Sequence, residues 1–543
     1  MTQTVRTQKE KTAKLFRVLV SDPLGPGGMS ELKKEKNIQV DEKSGLAPEE
    51  LKKIIGEYDA IIIRSGTRLT KDILEAAGKL RVIGRAGVGV DNVDLDAATK
   101  RGIIVMNTPE GNTISTAEHT FSMLMALARN IPQAAASVKN GEWKRHDFLG
   151  TELNGKTLGV IGFGRIGREV AKRAHAFGMR VVVFDPFISK ASVKEQPVEF
   201  MELKALLAAS DFITVHTPLT AETKYLLNEQ TLKFCKKGVK LINCARGGIL
   251  EEKALLAALK SGHVSGAAID VFEKEPPGEN PLLKFPQVIS TPHLGAATQE
   301  AQENVAIDVV RQVVDALQER AIKNAVNLPS LDPETYKVLK PWISLAEKIG
   351  MLQVQLFGGS LKNVNIRYGG EVTRYTLNPL TIAVVKGLLT PICGETVNFV
   401  NAPAMAKERG IVVTESRSTQ AEDYSNYIEV EMTAGDKETT IMGTIAGNQQ
   451  LRIVHINEFL IDVEPEGFVI FIQNEDQPGV VGTVGTILGK NKINIAEMSL
   501  GRVLKGKKML ALTVINTDNE VPEKVLAEIK KFSPILDVKV VKL

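Results

Sequence analysis

Three polar residues, Arg246, Glu275 and His293, each follow a short apolar run, and together they carry the groups needed to oxidise a 2-hydroxy acid. A base must take the hydroxyl proton, an acceptor must take the hydride, and a cation must hold the carboxylate and polarise the forming carbonyl. An imidazole titrates near neutral pH and suits the first task; Glu275 beside His293 would favour the protonated form needed in the reducing direction. Arg246 suits the third, because a guanidinium grips a carboxylate in two places and stays charged. Singly, each has an ordinary reading: a loop histidine after Pro292, a surface carboxylate, a salt-bridged arginine.

The hydride acceptor is implied upstream. Gly162-Phe163-Gly164-Arg165-Ile166-Gly167 follows the strand-like Thr157-Leu158-Gly159-Val160-Ile161 and opens a helix-like run from Arg168 to Arg173. In that setting Gly162 permits a tight turn, Gly164 lets backbone approach a pyrophosphate, and Gly167 lets helix and strand pack closely. The helix N-terminus offers free N–H groups and a positive dipole end to the phosphates. The next strand candidate, Val181 to Phe184, ends in Asp185, whose carboxylate suits ribose hydroxyls and repels a 2′-phosphate, so NAD is favoured over NADP. Ligands of open α/β sheets bind beyond the carboxyl ends of strands, and Arg246, Glu275 and His293 follow the fourth, fifth and sixth candidates of this unit. They are expected to converge on one cleft. His119 and His175 fall in helical patterns, and His216, before Thr217-Pro218, suits a cofactor loop better than a base.

At 543 residues the chain exceeds one core, and ordinary domain sizes suggest about three or four. Strand candidates at 17–20, 60–63, 81–84 and 103–106 alternate with helical patterns and predict a small parallel sheet. A helical stretch from Ser115 to Ala135 leads into the six-strand nucleotide unit, and AQENVAIDVVRQVVDALQER after Thr298 is long enough to cross back onto the first. The expected fold class is α/β: a Rossmann NAD-binding domain (111–295) inserted in a flavodoxin-like substrate domain (15–110 and 296–327). An α+β intervening domain (328–465) and a ferredoxin-like βαββαβ domain (466–543) follow. Residues 324–333, with two prolines, read as a linker. The order in the last unit is read from Phe468–Ile472, a helix from Val480 to Leu488, the short strand Ile493-Asn494-Ile495, Lys508–Val514, a helix near Pro522 to Phe532 and a terminal strand. The intervening stretch shows no catalytic spacing.

A formal net charge of +4 implies no general affinity for nucleic acid. The start lacks a secretory apolar region and no stretch suits a bilayer, so a cytoplasmic enzyme with no membrane partner is expected. Cys235, Cys244 and Cys393 have no metal-ligand or disulfide spacing, and no metal is expected.

With GVIGFGRIGREVAKR, Asp185, HTPLT from His216, NCARGG from Asn243, DVFEKEP from Asp270 and TPHLGAAT from Thr291, the chain resembles the D-isomer-specific 2-hydroxyacid dehydrogenases. It is most similar to long members with an intervening domain and a C-terminal ACT domain. The resemblance implies that Arg246 binds and orients substrate, Glu275 pairs with the histidine, and His293 exchanges the proton. It places Val88, Arg165, Ile166, Asp185, Thr217, Cys244, Ala245, Arg246, Asp270, His293 and Gly295 against NAD. It also puts Arg64, Ser65 and Arg85 on the substrate side, with Arg145 reaching a neighbouring subunit's cleft. A phosphorylated substrate is implied, 3-phospho-D-glycerate oxidised to 3-phosphohydroxypyruvate at the head of the phosphorylated route to L-serine. Alternatives are a glyoxylate or hydroxypyruvate reductase and a non-catalytic NAD-sensing protein. The ACT resemblance implies L-serine as effector at Asn474, Asp476 and Asn494, of which only Asn494 matches the best-known ligand pattern, and assembly as a homodimer or homotetramer.

Overall fold

Four sheets organise the chain; the computed structural model describes residues 15–188, 197–359, 361–418, 424–434, 437–447 and 449–543. In the first sheet β1 (Phe16–Val20), β2 (Ile38–Glu42), β3 (Ala60–Ile63), β4 (Val82–Arg85) and β5 (Ile104–Asn107) run parallel in the order β2-β1-β3-β4-β5, the flavodoxin-like order. Four of these strands are apolar runs in the sequence. β2 was not anticipated, because this edge strand buries none of its residues fully and needs no such run.

The second sheet contains β6 (Thr157–Ile161), β7 (Arg180–Phe184), β8 (Glu199–Phe200), β9 (Phe212–Val215), β10 (Val239–Asn243), β11 (Val264–Ile269) and β12 (Val288–Ser290). All pairings are parallel, in the order β12-β11-β10-β9-β6-β7-β8. The six expected strands are present, and β8 adds a two-residue edge beyond β7. Every residue of β6 and β9 is buried, as in parallel sheets covered on both faces.

Two helices carry the chain between these sheets. Thr113–Arg129 packs Ala117, Phe121, Leu124 and Leu127 into the core of the second sheet, whereas Gln299–Leu317 packs Val305, Val309, Val313 and Leu317 into that of the first. The second sheet is therefore an insertion in the first lobe. The expected single helix from Ser115 to Ala135 is two: Asn130 adopts φ 53° and ends the first, and Ile131–Lys139 restarts with Pro132 in its first turn.

The proline-bearing segment after residue 323 is not slack. Ala325 bridges Met106, Val326 N–H donates to the Val105 carbonyl at 2.7 Å, and Asn327 Oδ1 accepts from the buried Val105 N–H at 2.9 Å. The Asn327 amide also donates to Ile103 O at 2.9 Å, so the segment closes the β5 edge.

The third sheet joins β13 (Leu361–Gly369), β14 (Val412–Ser418), β15 (Tyr427–Ala434), β16 (Lys437–Ala446), β17 (Gln450–Ile456) and β18 (Phe459–Val463) in the order β14-β13-β15-β16-β17-β18. Helices Pro333–Phe357 and Asn378–Cys393 pack beside it, and against each other so closely that a Cβ on Gly387 would lie 2.0 Å from Glu347 O. The fourth sheet is antiparallel, with β19 (Phe468–Glu475), β20 (Ile495–Lys505), β21 (Lys508–Thr517) and β22 (Ile535–Lys542) in the order β20-β21-β19-β22. With helices Val480–Lys490 and Glu523–Lys530 it makes the expected βαββαβ unit. Of the short strand expected at 493–495 only Ile495 is a strand residue, the first of the eleven-residue β20, whose partly exposed side chains hid its length. The sheet face opposite these helices joins the third unit's core through Val469, Phe471, Val514 and Val541. No helix among the described residues is long and apolar enough to cross a membrane.

Replacing Asn327 by alanine strips the buried Val105 N–H of its acceptor, which should cost about 1–3 kcal/mol of stability. Urea denaturation of the variant beside the parent measures this, and equal midpoints would reject the edge-closing role.

Candidate active site

The turns beyond the second sheet are shaped by their own side chains. After β10, Asn243 Oδ1 accepts from Ala245 N–H at 3.1 Å and its amide donates to Arg246 O at 2.9 Å, which folds the turn and sends Arg246 across the cleft. There Arg246 Nε lies 3.4 Å from Asp91 of the first lobe, and its guanidinium covers Gly89, where a Cβ would come within 2.3 Å. After β11, Phe272 N–H donates to Glu275 Oε1 at 3.1 Å, leaving Oε2 to pair with His293 Nδ1 at 2.7 Å. With Nδ1 bound to a carboxylate, Nε2 is the nitrogen left to exchange a proton with a ligand. His293 has φ 56° and a side chain 50% exposed, so its ring stands open to the cleft.

Asp270 holds that geometry. It is 1% exposed; Oδ1 accepts from Thr291 Oγ1 at 2.6 Å and Leu294 N–H at 2.7 Å, and Oδ2 accepts from Gly295 N–H at 2.9 Å. The Asp270 carbonyl accepts from His293 N–H at 2.9 Å. Burial opposes ionisation, but hydrogen bonds from His119, Thr291 and Leu294 outweigh it and hold this carboxyl below the usual range. His119 lies in helix Thr113–Arg129, as expected, and the fold brings its Nε2 3.3 Å from Asp270 Oδ1 and 3.2 Å from Thr291 Oγ1. Sequence spacing could not reveal this, because helix Thr113–Arg129 meets the end of β11 only through packing. Asp270, expected against NAD, spends both oxygens on the loop that carries His293.

His119, Cys244 and Asp270 bring three possible ligand atoms within 4.8 Å, but burial pushes the Cys244 thiol up to about 12 and Asp270 is committed to N–H and O–H donors. The arrangement fits an anchor better than an ion site. Cys244 packs into the core, so its contribution to the cleft is limited to backbone.

On the facing lobe, Asp22 Oδ2 accepts from Arg64 N–H at 2.6 Å and Thr67 N–H at 3.1 Å, while the Asn92 amide donates to Arg64 O at 2.7 Å and Thr67 O at 2.6 Å. The loop with Ser65 at its exposed tip is thus gripped from two sides. Asp22 and Asn92 were not singled out in the sequence, although Asp22 lies two residues past β1 and obeys the strand-end rule that drew attention to Arg246, Glu275 and His293. Among the described residues the Arg85 side chain bonds only to Ala86 O, at 3.2 Å, and its buried Nε has no partner. Burial and the neighbouring charges of Arg246 and Arg64 push its guanidinium down to about 10. This is a preformed concentration of positive charge.

The nucleotide cradle has the features a dinucleotide needs. Gly164 N-caps helix Arg165–Ala176 with no side chain over the free N–H groups and open space where a Cβ would stand. Gly167 packs so closely that a Cβ would lie 2.2 Å from Gly162 O. Asp185 Oδ2 orders the glycine turn through Phe163 N–H at 2.8 Å and keeps lone pairs for ribose hydroxyls. The buried Thr217 Oγ1 has no partner among the described residues. Val88 sits opposite, its carbonyl tied to the Asn107 amide at 2.6 Å, and Arg165 lies 3.4 Å from Glu110 at the rim. Ile166 is half-buried beside the second core, and Gly295 is buried against Thr116 and Asp270. His216 is no base: burial pushes it down to about 3, and Nε2 meets Thr214 Oγ1 at 2.9 Å.

Two sets of expected residues are not brought together within the chain. Arg145 begins a 3-10 turn (Arg145–Phe148) on an exposed segment and has no bond to the cleft residues among the described residues. Asn474 pairs with Ala511 in the fourth sheet, whereas Asn494 precedes Ile495, which pairs with Thr517. Asn474 and Asp476 therefore lie at one end of the sheet and Asn494 at the other; Asp476 pairs with Arg502, and Asn494 donates to Asp518 at 2.8 Å.

Asp270→Asn turns one acceptor oxygen into a donor facing N–H groups, loosening the His293 loop. An about hundredfold fall in kcat is expected; initial-rate kinetics on folded variant would reject the anchor role if kcat were unchanged.

Residues 121–295 match the family model of the D-isomer specific 2-hydroxyacid dehydrogenase NAD binding domain, 338–457 that of the D-3-phosphoglycerate dehydrogenase intervening domain, and 468–533 that of the ACT domain. The D-3-phosphoglycerate dehydrogenase of Bacillus subtilis is 46% identical over 530 residues, covering 97% of this chain and 100% of that protein. Among solved structures, a glyoxylate reductase from Paecilomyes thermophila superposes with a TM-score of 0.54 at 30% identity, over 58% of this chain and 98% of its own. An NAD-dependent formate dehydrogenase from Staphylococcus aureus in complex with NAD gives 0.52 at 30% identity, over 57% and 97%. Cradle, cleft and full-length similarity agree: the chain belongs to the D-3-phosphoglycerate dehydrogenase family, in its long form with intervening and ACT domains.

Proposed function

We propose that the protein oxidises 3-phospho-D-glycerate to 3-phosphohydroxypyruvate with NAD, the first step of the phosphorylated route to L-serine. The observation that carries the substrate class is Arg85, half-buried, with a buried Nε that has no partner among the described residues, and crowded by the charges of Arg64 and Arg246. Such a site is relieved by an anion, and a substrate with carboxylate and phosphate offers two.

Arg246, now beside the Asp91 carboxylate, grips the substrate carboxylate and polarises the adjacent carbon–oxygen bond. His293 Nε2 takes the hydroxyl proton, and the imidazolium formed is stabilised by Glu275 at Nδ1. Bound NAD supplies the hydride acceptor. Val88, Arg165, Ile166, Asp185, Thr217, Ala245 and Gly295 line its path, and closure of the lobes would exclude water. Arg64 and Ser65 meet the phosphate end.

A homodimer or larger assembly is part of this reading. Trp143 is 84% exposed and Leu149 90%, and they flank Arg145, which supports burial of this segment against a second copy whose cleft Arg145 would enter. The ACT unit supports control by a small molecule, and L-serine is the proposed effector. Because Asn494 lies at the opposite end of its sheet from Asn474 and Asp476, a serine site would need antiparallel apposition of β20 edges from two copies. Exposed Met498, Leu500 and Leu504 on β20 support that apposition. Cytoplasmic residence is proposed with it, consistent with three free cysteines.

His293→Ala should abolish most turnover while NADH binding, read by fluorescence titration, stays near the parent value. A panel of 3-phosphoglycerate, glycerate and glyoxylate, with NAD and NADP, separates this reading from a reductase for unphosphorylated acids: preference for glycerate, or full activity of the variant, rejects it. Titrating L-serine into initial-rate assays should show inhibition, and undiminished rates at millimolar serine would remove serine as effector.

A further inference from the structure

Between the first lobe and the third unit lies a cavity of about 510 Å³, remote from the strand ends that carry His293 and Arg246. Its walls come from the beginnings of β4 and β5, the end of helix Gln299–Leu317, the segment after Asn327, and the helices Pro333–Phe357 and Asn378–Cys393. The volume lies within the about 300–1,000 Å³ of small-molecule sites, which favour domain junctions. One side is pinned: Asn398 donates to Gly102 O at 2.9 Å and Lys100 pairs with Glu408 at 3.3 Å. The cavity is therefore held open by contacts across the junction.

Its chemistry is one-sided. Ile104, Ile322, Ile382 and Phe399 supply apolar walls. Three cations line it, Arg81, Arg101 and Lys386, against a single carboxylate, Glu319. Arg81 is paired with Glu319 at 3.0 Å, and Lys386 is paired with Glu347 and sits 4.8 Å from the Phe399 ring centroid. Arg101 gives one N–H to Ala77 O at 3.3 Å and has no carboxylate partner among the described residues. An unpaired guanidinium at the edge of an apolar chamber suits a small molecule with one anionic end and a hydrocarbon body.

The position also couples to the cleft. β4 begins beside Arg81 in this cavity and ends at Arg85; β5 begins at Ile104 and ends at Asn107, which holds the Val88 carbonyl. Helix Gln299–Leu317 ends here, and its N-terminus begins at the crossing between the lobes.

We propose that this cavity is a regulatory site for a small amphipathic carboxylate, its head on Arg101 and its hydrocarbon body between Ile382 and Phe399. The intervening domain then has a task of its own: it completes a second ligand site whose occupancy reaches the cleft along β4, β5 and the crossing helix. The inference does not depend on which hydroxy acid is oxidised.

Octanoate is the probe, titrated calorimetrically into the full-length protein beside octan-1-ol and octylammonium. Octanoate should bind and octylammonium should not. Arg101→Gln, at an exposed position that leaves the fold intact, should weaken octanoate by about tenfold or more. Ile382→Trp should block the chamber and abolish binding, with kcat retained to show that the variant is folded. Octanoate should change the NADH Kd, and NADH should change the octanoate Kd by the same factor. No octanoate binding at millimolar concentration, equal binding of octylammonium, or parental affinity in Arg101→Gln would overturn the site. Binding that leaves the NADH Kd unchanged would overturn its regulatory role.

Discussion

The carboxylate of Asp270 sits in the interior and must be paid for with hydrogen bonds, and the groups that satisfy it are the backbone and side chain of the loop carrying His293. A buried charge tolerates no slack in its partners, since each lost bond exposes a desolvated oxygen. The loop is therefore fixed where its left-handed histidine can meet Glu275, and the imidazole stands open beside the nucleotide cradle. His119 extends the constraint into helix Thr113–Arg129, the element that ties the nucleotide sheet to the first lobe.

Across the cleft the balance is reversed. Arg85, Arg64 and Arg246 are placed close enough to repel, and the buried Nε of Arg85 has no partner among the described residues. His293, Glu275 and Arg246 come from one lobe, and Arg64 and Arg85 from the other. The two crossing helices join the halves into one molecule.

The third and fourth units are packed as one body. The ACT sheet turns Val469, Phe471, Val514 and Val541 into the core of the intervening unit, so strain at one is felt in the other. That unit in turn meets the first lobe around a cavity that reaches the start of β4 and β5.

Much of the fold was legible because fully buried parallel strands must be apolar runs and because glycines in a nucleotide turn cannot be exchanged for larger residues. The order Arg246, Glu275 and His293 after successive strands was legible for the same reason: parallel topology sends every strand end to one side. What carried little burial was invisible, as with the edge strand β2 and the length of β20. The residues that hold the site, Asp22, Asn92, Asp91 and His119, act through partners far along the chain, and no local spacing records such contacts. The separation of Asn494 from Asn474 likewise depends on sheet register, a property of pairing between strands and not of any one segment.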